Sequence, residues 1–245
     1  RASRYSRIPV INAGDGGHQH PTQTLTDLMT IRRRMGRLDD LTIGLCGDLK
    51  YGRTVHSLLH FLERFHNVQV YLIAPDALKL PDYMINFLKE HNMPYCEVSS
   101  IDEVLPELDV LYMTRIQRER FTSAQEYENL EGSYQLTAEK MKRAKKDMLV
   151  LHPLPRVDEI AQDVDDDPRA VYFRQARFGM FGRMALLLTL SKLPYERAGH
   201  QDIGHEPGVR CSNHKCITRT ELYVPLHGKI GDRCPYCDKL LELDI

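Results

Sequence analysis

Short apolar runs alternate with amphipathic stretches over the first 190 residues. Residues 41–46 (Leu-Thr-Ile-Gly-Leu-Cys), 68–73, 109–113 and 148–151 are apolar runs of strand length. Residues 8–11 form a further strand candidate, running into Asn12-Ala13-Gly14-Asp15-Gly16-Gly17, a loop that draws on the conformational freedom of glycine. Helical periods lie between these runs. Residues 21–35 predict a helix with Pro21 tolerated in its first turn and Leu25, Leu28 and Met29 on its apolar face. Val55, Leu58, Leu59 and Leu62 repeat at i, i+3, i+4 and i+7, a core-facing stripe. Residues 81–91 turn Met84, Ile85 and Leu88 inward, and a last helix covers residues 172–190. Strands alternating with helices of this length predict βαβ units: an α/β fold with a doubly wound, mostly parallel sheet and helices on both faces.

The pattern stops at residue 191. Residues 191–210 are rich in Pro, Gly, His and charge and read as a linker between an α/β domain (1–190) and a small terminal domain (211–245). The terminal segment is too short to fold on an apolar core alone and needs a staple. Cys211-x4-Cys216 and, after seventeen intervening residues, Cys234-x2-Cys237 supply one: two thiolate pairs folding back as knuckles around a tetrahedral Zn2+. Pro235 and Tyr236 suit a tight knuckle turn, and four thiolates leave no open coordination position, so the zinc is expected to be structural and the domain a small zinc-stabilised β unit. His214 lies between the first pair but is not needed as a ligand. Cys46 and Cys96 stand alone in apolar strand-like runs and read as small buried hydrophobes.

Charge narrows the function. Lys and Arg number 33 against 34 Asp and Glu, without the basic surplus of a nucleic-acid binder. Arg32-Arg33-Arg34 and the basic residues of 142–146 read as solvated helix faces. No apolar stretch approaches the roughly 20 residues that span a bilayer. The most apolar one, residues 184–190, is expected to be a buried helix. Nothing resembles a signal peptide, and the cytoplasm is the expected compartment. The turn Gly47-Asp48-Leu49-Lys50-Tyr51-Gly52 lacks the Gly-x-Gly-x-x-Gly fingerprint, which argues against a dinucleotide-binding oxidoreductase; no organic cofactor is expected.

Polar clusters follow the apolar runs: His20-Pro21-Thr22-Gln23, Asp48 to Arg53, Arg115-Ile116-Gln117, and His152-Pro153-Leu154-Pro155-Arg156. Ligands of parallel sheets bind outside the carboxyl ends of the strands, so these clusters predict a small-anion site. Arg53 opens a helix, where free N–H groups already favour an anion. Arg115 and Gln117 alternate in an extended segment and point to one side, a guanidinium and a carboxamide suited to a carboxylate. His20 and Gln23 lie three apart at a helix start and share a face from which a carbonyl oxygen can be held as its charge develops. On spacing alone, His18 is an equal candidate. The two prolines after His152 constrain the backbone so that carbonyls can be aimed at a ligand, with a cis X-Pro bond open as an option.

On these residues the chain resembles the aspartate carbamoyltransferase (aspartate transcarbamoylase) family across residues 4–190. The resemblance rests on Pro9-Val10-Ile11-Asn12-Ala13-Gly14-Asp15-Gly16, His20-Pro21-Thr22-Gln23-Thr24-Leu25, Gly47 to Ser57, Tyr112-Met113-Thr114-Arg115, and His152 to Ile160. Cys211-Ser212-Asn213-His214-Lys215-Cys216-Ile217 is similar to the zinc domain of that enzyme's separate regulatory chain. The resemblance implies transfer of a carbamoyl group from carbamoyl phosphate to the amine of L-aspartate in pyrimidine synthesis, by a homotrimer or higher oligomer with no metal in the chemistry. It implies that His20 polarises the carbamoyl carbonyl beside Gln23, and that Leu154 and Pro155 accept the amide through their backbone carbonyls. Arg53 and Arg115, assisted by Gln117, would then bind the carboxylates of aspartate. Ornithine-specific relatives carry His-Cys-Leu-Pro where this chain has His152-Pro153-Leu154-Pro155. The family's Ser-Thr-Arg-Thr phosphate loop, a further arginine and a Ser/Lys loop lent by a neighbouring subunit do not occur in this sequence. The resemblance therefore implies that the amino-terminal carbamoyl phosphate domain is absent, that the chain alone has negligible activity, and that the helix over 172–190 exposes an apolar face. The competing expectation is a non-catalytic assembly or regulatory protein that docks catalytic chains through its zinc domain.

Overall fold

A computed structural model describes residues 6, 8–16, 19–116, 134–192, 208–220, 226, 228–234, 236–237 and 239–244. The chain divides into two compact units, residues 12–186 and a second unit made of residues 1–11 and 187–245.

The larger unit follows the predicted alternation: α1 (Pro21–Met35), β1 (Thr42–Cys46), α2 (Arg53–Leu62), β2 (Gln69–Ile73), α3 (Asp82–Glu90), β3 (Tyr95–Val98), β4 (Val110–Met113), α4 (Ala138–Met141), β5 (Leu149–Leu151) and the start of α5 (Tyr172–Lys192). Its five strands are ordered β3-β2-β1-β4-β5, and every neighbouring pair is parallel. Strand alternation divides the core between the two sheet faces. Ile43, Leu45, Val110, Tyr112, Leu149 and Leu151 pack with Leu58, Leu59 and Leu62 of α2 and Met84 and Leu88 of α3. Cys46, Leu111, Met113 and Val150 pack with Leu105, Leu108, Met141 and Tyr172. The order reverses between β1 and β4, which opens a crevice at their carboxyl ends.

Several expectations change. Residues 8–11 form no strand. The strand β3 was not evident from the pattern, because it is an edge strand whose residues are half-buried or exposed. Cys96 lies on it and is exposed, not a buried hydrophobe, whereas Cys46 is fully buried. The buried face of α1 is mostly polar, formed by Thr22, Gln23, Thr24, Thr26, Asp27 and Thr30 with Ile31, while Leu25, Leu28 and Met29 are half-buried. This face comes close to α5 because α5 carries glycines there: a Cβ on Gly179 would lie 2.9 Å from Thr26 Oγ1, and one on Gly182 2.8 Å from Met29 Sδ. Residues 184–190 are not buried, since Met184, Leu187 and Leu188 are all more than half exposed.

Among the described residues of the smaller unit, β6 (Val209–Cys211) pairs antiparallel with β7 (Leu241–Leu243), and α6 (Ile217–Thr220) follows Cys216. Its core is built of Cys211, Cys216, Cys234, Leu226 and Leu241. No helix among the described residues is long and apolar enough to cross a membrane.

Candidate functional site

Two loops leave the sheet at the reversal between β1 and β4 and are locked together. Thr114, just after β4, donates its N–H (2.8 Å) to the Cys46 carbonyl at the end of β1, and its hydroxyl donates to the same oxygen at 2.9 Å. The Asp48 N–H returns a bond to Thr114 Oγ1 at 3.0 Å. Gly47 makes this approach possible: its φ is +115°, and a Cβ there would sit 2.3 Å from the Thr114 carbonyl oxygen. The first loop closes when Asp48 Oδ1 accepts the Tyr51 N–H at 2.9 Å, and it delivers Arg53 as the first residue of α2. The second loop delivers Arg115, which is exposed at the strand end. Gln117 and His18 lie outside the described residues.

The Arg53 guanidinium reaches across to the glycine loop, donating to the Gly16 carbonyl at 2.8 Å. Gly14, with φ +126°, leaves room for it, because a Cβ there would lie 3.0 Å from Arg53 Nη1. His20 is placed by α2 as well: its backbone N–H donates to Ser57 Oγ at 2.7 Å, and that hydroxyl donates to Gln19 Oε1 at 2.6 Å. Burial holds the His20 imidazole below its ordinary value of 6.5, and the positive charges of Arg53 and Arg183 add to the effect. The ring is therefore neutral at pH 7, with one N–H to donate. Its Nδ1 is buried without a hydrogen bond. Gln23, one turn on and nearly buried, directs its amide into the protein, where Nε2 donates to Asp27 Oδ1 at 2.8 Å.

The turn after β5 is held by its own side chain. The Leu154 N–H donates to His152 Nδ1 at 2.8 Å. The ring proton is thereby assigned to Nε2, which donates to Glu159 Oε1 at 2.7 Å. Glu159 Oε2 accepts from the Val157 and Asp158 N–H groups, each at 3.2 Å. Burial raises the Glu159 carboxyl, but the bonds from His152 and the backbone outweigh it and hold the group below its ordinary 4.5. Leu154 adopts φ +57° and precedes a cis bond to Pro155. Arg156 is turned to other partners, Asp165 and the Tyr172 hydroxyl.

The candidates therefore group as follows. His20 and Arg53 sit in one charge environment, Arg115 leaves the strand next to β1, and Leu154 and Pro155 occupy the β5 turn. Sequence reasoning missed Asp27, Ser57, Glu159 and Gln175, the last of which accepts the His152 N–H at 2.9 Å through Oε1. The signal for Asp27 was present: Gln23 and Asp27 are spaced i, i+4, amid Thr22, Thr26 and Thr30 on the same helix.

In the smaller unit the sulfurs of Cys211, Cys216, Cys234 and Cys237 all lie within 4.8 Å of one another. The Cys211–Cys237 and Cys216–Cys234 separations are 3.3 and 3.6 Å. A tetrahedral ion with bonds near 2.3 Å spaces its sulfurs about 3.8 Å apart, so the set fits such an ion. Two sulfurs also accept hydrogen bonds, Cys211 from the Asn213 N–H and Cys216 from the Thr218 hydroxyl, which favours the thiolate. His214 is exposed and outside the cluster. The four cysteines could hold a metal.

Similarity to known proteins covers residues 1–33 and 39–190. The sequence model described as "Aspartate/ornithine carbamoyltransferase, Asp/Orn binding domain" matches residues 39–190. That of the "Aspartate/ornithine carbamoyltransferase, carbamoyl-P binding domain" matches residues 1–33. The second match corrects the expectation that the carbamoyl phosphate domain is absent: part of it is present, since His20, Gln23 and most of α1 lie in the matched segment. The expectation of negligible activity loses the support it drew from that absence. The aspartate carbamoyltransferase catalytic subunit of Lachnoclostridium phytofermentans is 59% identical over 197 residues, covering 80% of this chain and 64% of its own length. The catalytic subunit of M. jannaschii aspartate transcarbamoylase superposes with a TM-score of 0.74 at 52% identity, over 77% of this chain and 61% of that one. Aspartate transcarbamoylase from Trypanosoma cruzi in complex with N-(phosphonacetyl)-L-aspartic acid superposes with a TM-score of 0.68 at 45% identity, over 74% of this chain and 59% of that one. The chain thus spans about three fifths of the length of the relatives it matches. It belongs to the aspartate/ornithine carbamoyltransferase family.

Proposed function

We propose that the chain supplies the aspartate-binding domain and part of the carbamoyl-binding wall of an aspartate carbamoyltransferase. What supports this reading is that Arg53 and Arg115 come from two loops hydrogen bonded to each other at the β1–β4 reversal, with a neutral, half-buried His20 in the charge environment of Arg53. In the reaction, the aspartate amine attacks the carbamoyl carbon of carbamoyl phosphate. A C–N bond forms, the C–O bond to phosphate breaks, and the amine loses a proton as phosphate departs. His20, held neutral, donates its ring N–H to the carbonyl oxygen as negative charge develops there, with Gln23 beside it. Leu154 and Pro155 present backbone carbonyls to the carbamoyl NH2. Arg53 and Arg115, with Gln117, hold the carboxylates.

Aspartate is favoured over ornithine because Arg115 repels a cationic side chain and pairs with a carboxylate. The ligand of the Trypanosoma cruzi structure, which joins a phosphonate to aspartate, fits the same reading. A zinc ion on Cys211, Cys216, Cys234 and Cys237 would be structural, cross-linking β6, the start of α6 and the turn before β7. Assembly as a homotrimer, a cytoplasmic location and a place in pyrimidine synthesis belong to the same proposal.

Calorimetric titration with N-(phosphonacetyl)-L-aspartate tests it. Saturable binding by the native chain, lost or strongly weakened in Arg115→Ala, supports the reading. Unchanged affinity in that variant, or preference for an ornithine-based analogue, overturns it.

A further inference from the structure

One group of buried polar side chains has no role in the chemistry above. Asp27 on α1 is fully buried, and Gln175 on α5 is 1% exposed. Asp27 Oδ1 accepts the Gln23 amide at 2.8 Å and the Gln175 amide at 2.7 Å. Gln175 then uses its own oxygen to accept the His152 N–H at 2.9 Å, and His152 Nδ1 accepts the Leu154 N–H at 2.8 Å.

We propose that Asp27 is a positioning residue that fixes the two walls of the carbamoyl pocket in register, holding Gln23 directly and the His152–Pro155 turn through Gln175. The proposal rests on the functional reading only for what the pocket binds; the linkage of the two segments stands on the geometry.

The direction of each bond makes the chain unambiguous. An ionised carboxylate can only accept, so both glutamines must turn their NH2 groups toward Asp27. The His152 N–H can only donate, so Gln175 must turn its oxygen toward the turn after β5. Flipping either amide would set oxygen against oxygen or N–H against N–H in a dry interior, where an unpaired polar group is costly. The orientation of the Gln23 amide is therefore set by Asp27, and the placement of Leu154 is tied to the same residue through three successive hydrogen bonds. An apolar residue at position 27 would be simpler to bury, so packing alone does not account for a carboxyl there.

The groups facing this carboxyl are Gln23 from its own helix, the Tyr112 hydroxyl from β4, and Gln175 and Arg183 from α5, with Thr54 of α2 beyond Tyr112. Asp27 Oδ2 and the Tyr112 hydroxyl are both buried and outside hydrogen-bonding geometry. Burial raises the carboxyl to about 7 against the pull of the glutamine bonds, so its charge is open to measurement under mild conditions.

The test begins without any ligand. In the full chain labelled with 15N-glutamine and 15N-leucine, the side-chain amide signals of Gln23 and Gln175 should shift with pH with one common midpoint near 7, and the Leu154 amide should follow them. Asp27→Asn should abolish that shared transition. Independent or absent titration of the two glutamines in the native chain overturns the linkage, and so does its persistence in Asp27→Asn. The native titration decides even if the variant fails to fold. The second arm measures affinity for N-(phosphonacetyl)-L-aspartate together with the melting temperature. A loss of about tenfold or more in Asp27→Asn, out of proportion to any change in melting, supports positioning. Binding equal to the native chain overturns it. Failure of the native chain to bind, with the glutamine titration intact, overturns the proposed function and leaves the linkage standing.

Discussion

Replacing Glu159 with alanine removes the acceptor for three donors at once: the His152 ring N–H and the Val157 and Asp158 backbone N–H groups. The consequences differ among them. Val157 is 62% exposed, so water can take over much of what the backbone donors lose. The His152 ring is only 1% exposed and has no such replacement. Breaking a buried pair costs roughly 3–5 kcal/mol and one orphaned donor roughly 1–3. With part of the loss relieved by water, Glu159→Ala should destabilise the larger unit by about 2–4 kcal/mol, read from urea denaturation followed by circular dichroism. Glu159→Gln keeps one acceptor oxygen and should cost about 1 kcal/mol. The carboxyl is held below its ordinary 4.5, so its contribution is complete above that pH and fades as the pH falls through the folded-state value. The gap between native protein and Glu159→Gln should therefore narrow below pH 4.5. A loss under about 1 kcal/mol in Glu159→Ala would refute the reasoning, because the His152 donor would then have found another partner.

Arg115→Ala should weaken binding of N-(phosphonacetyl)-L-aspartate by roughly 1.5–3 kcal/mol, the worth of a charged hydrogen bond, and calorimetry with unchanged affinity would remove Arg115 from the site. Gly47→Ala forces a left-handed φ on a residue whose new Cβ lies 2.3 Å from the Thr114 oxygen. It should cost roughly 1–3 kcal/mol in urea denaturation and weaken analogue binding by moving the Arg53 and Arg115 loops apart. The His20 ring signals should titrate with a midpoint below 6.5 by NMR, as burial and the neighbouring charge of Arg53 require. A midpoint above 6.5 contradicts the neutral donor. Elemental analysis should find one zinc per chain. Chelation should collapse the amide signals of residues 208–244 while the larger unit keeps its melting transition, and unchanged signals would argue against the ion.

Periodicity made the main lines of the fold legible. The stripe Val55, Leu58, Leu59 and Leu62 is wholly buried, and four of the five parallel strands lie in the predicted apolar runs. The strand β3 escaped because an edge strand with exposed positions carries little apolar signal, and Cys96 was misplaced with it. The face of α1 was misread because apolar residues were assumed to face inward. The helix instead buries threonines, Gln23 and Asp27, whose bonds run to partners far apart in sequence, such as Asp27 to Gln175. Strand ends pointed to Arg53, Arg115 and the turn after His152. Only the fold showed that His152 is held between Glu159 and the Leu154 N–H as a brace for that turn, and that Arg156 is turned aside to Asp165. The cysteine spacing implied a closed site, and the four sulfurs do gather within 4.8 Å.

The central claim is that one crevice, at the β1–β4 reversal and the turn after β5, holds both the carbamoyl group and aspartate. The most direct measurement is a crystal structure of the chain with N-(phosphonacetyl)-L-aspartate. The account predicts a His20 ring nitrogen within hydrogen-bonding distance of the ligand's amide oxygen and the Leu154 carbonyl against its amide end. It also predicts the aspartate carboxylates paired with Arg53 and Arg115. A ligand bound elsewhere, or in this crevice with His20 and both arginines out of contact, would contradict it.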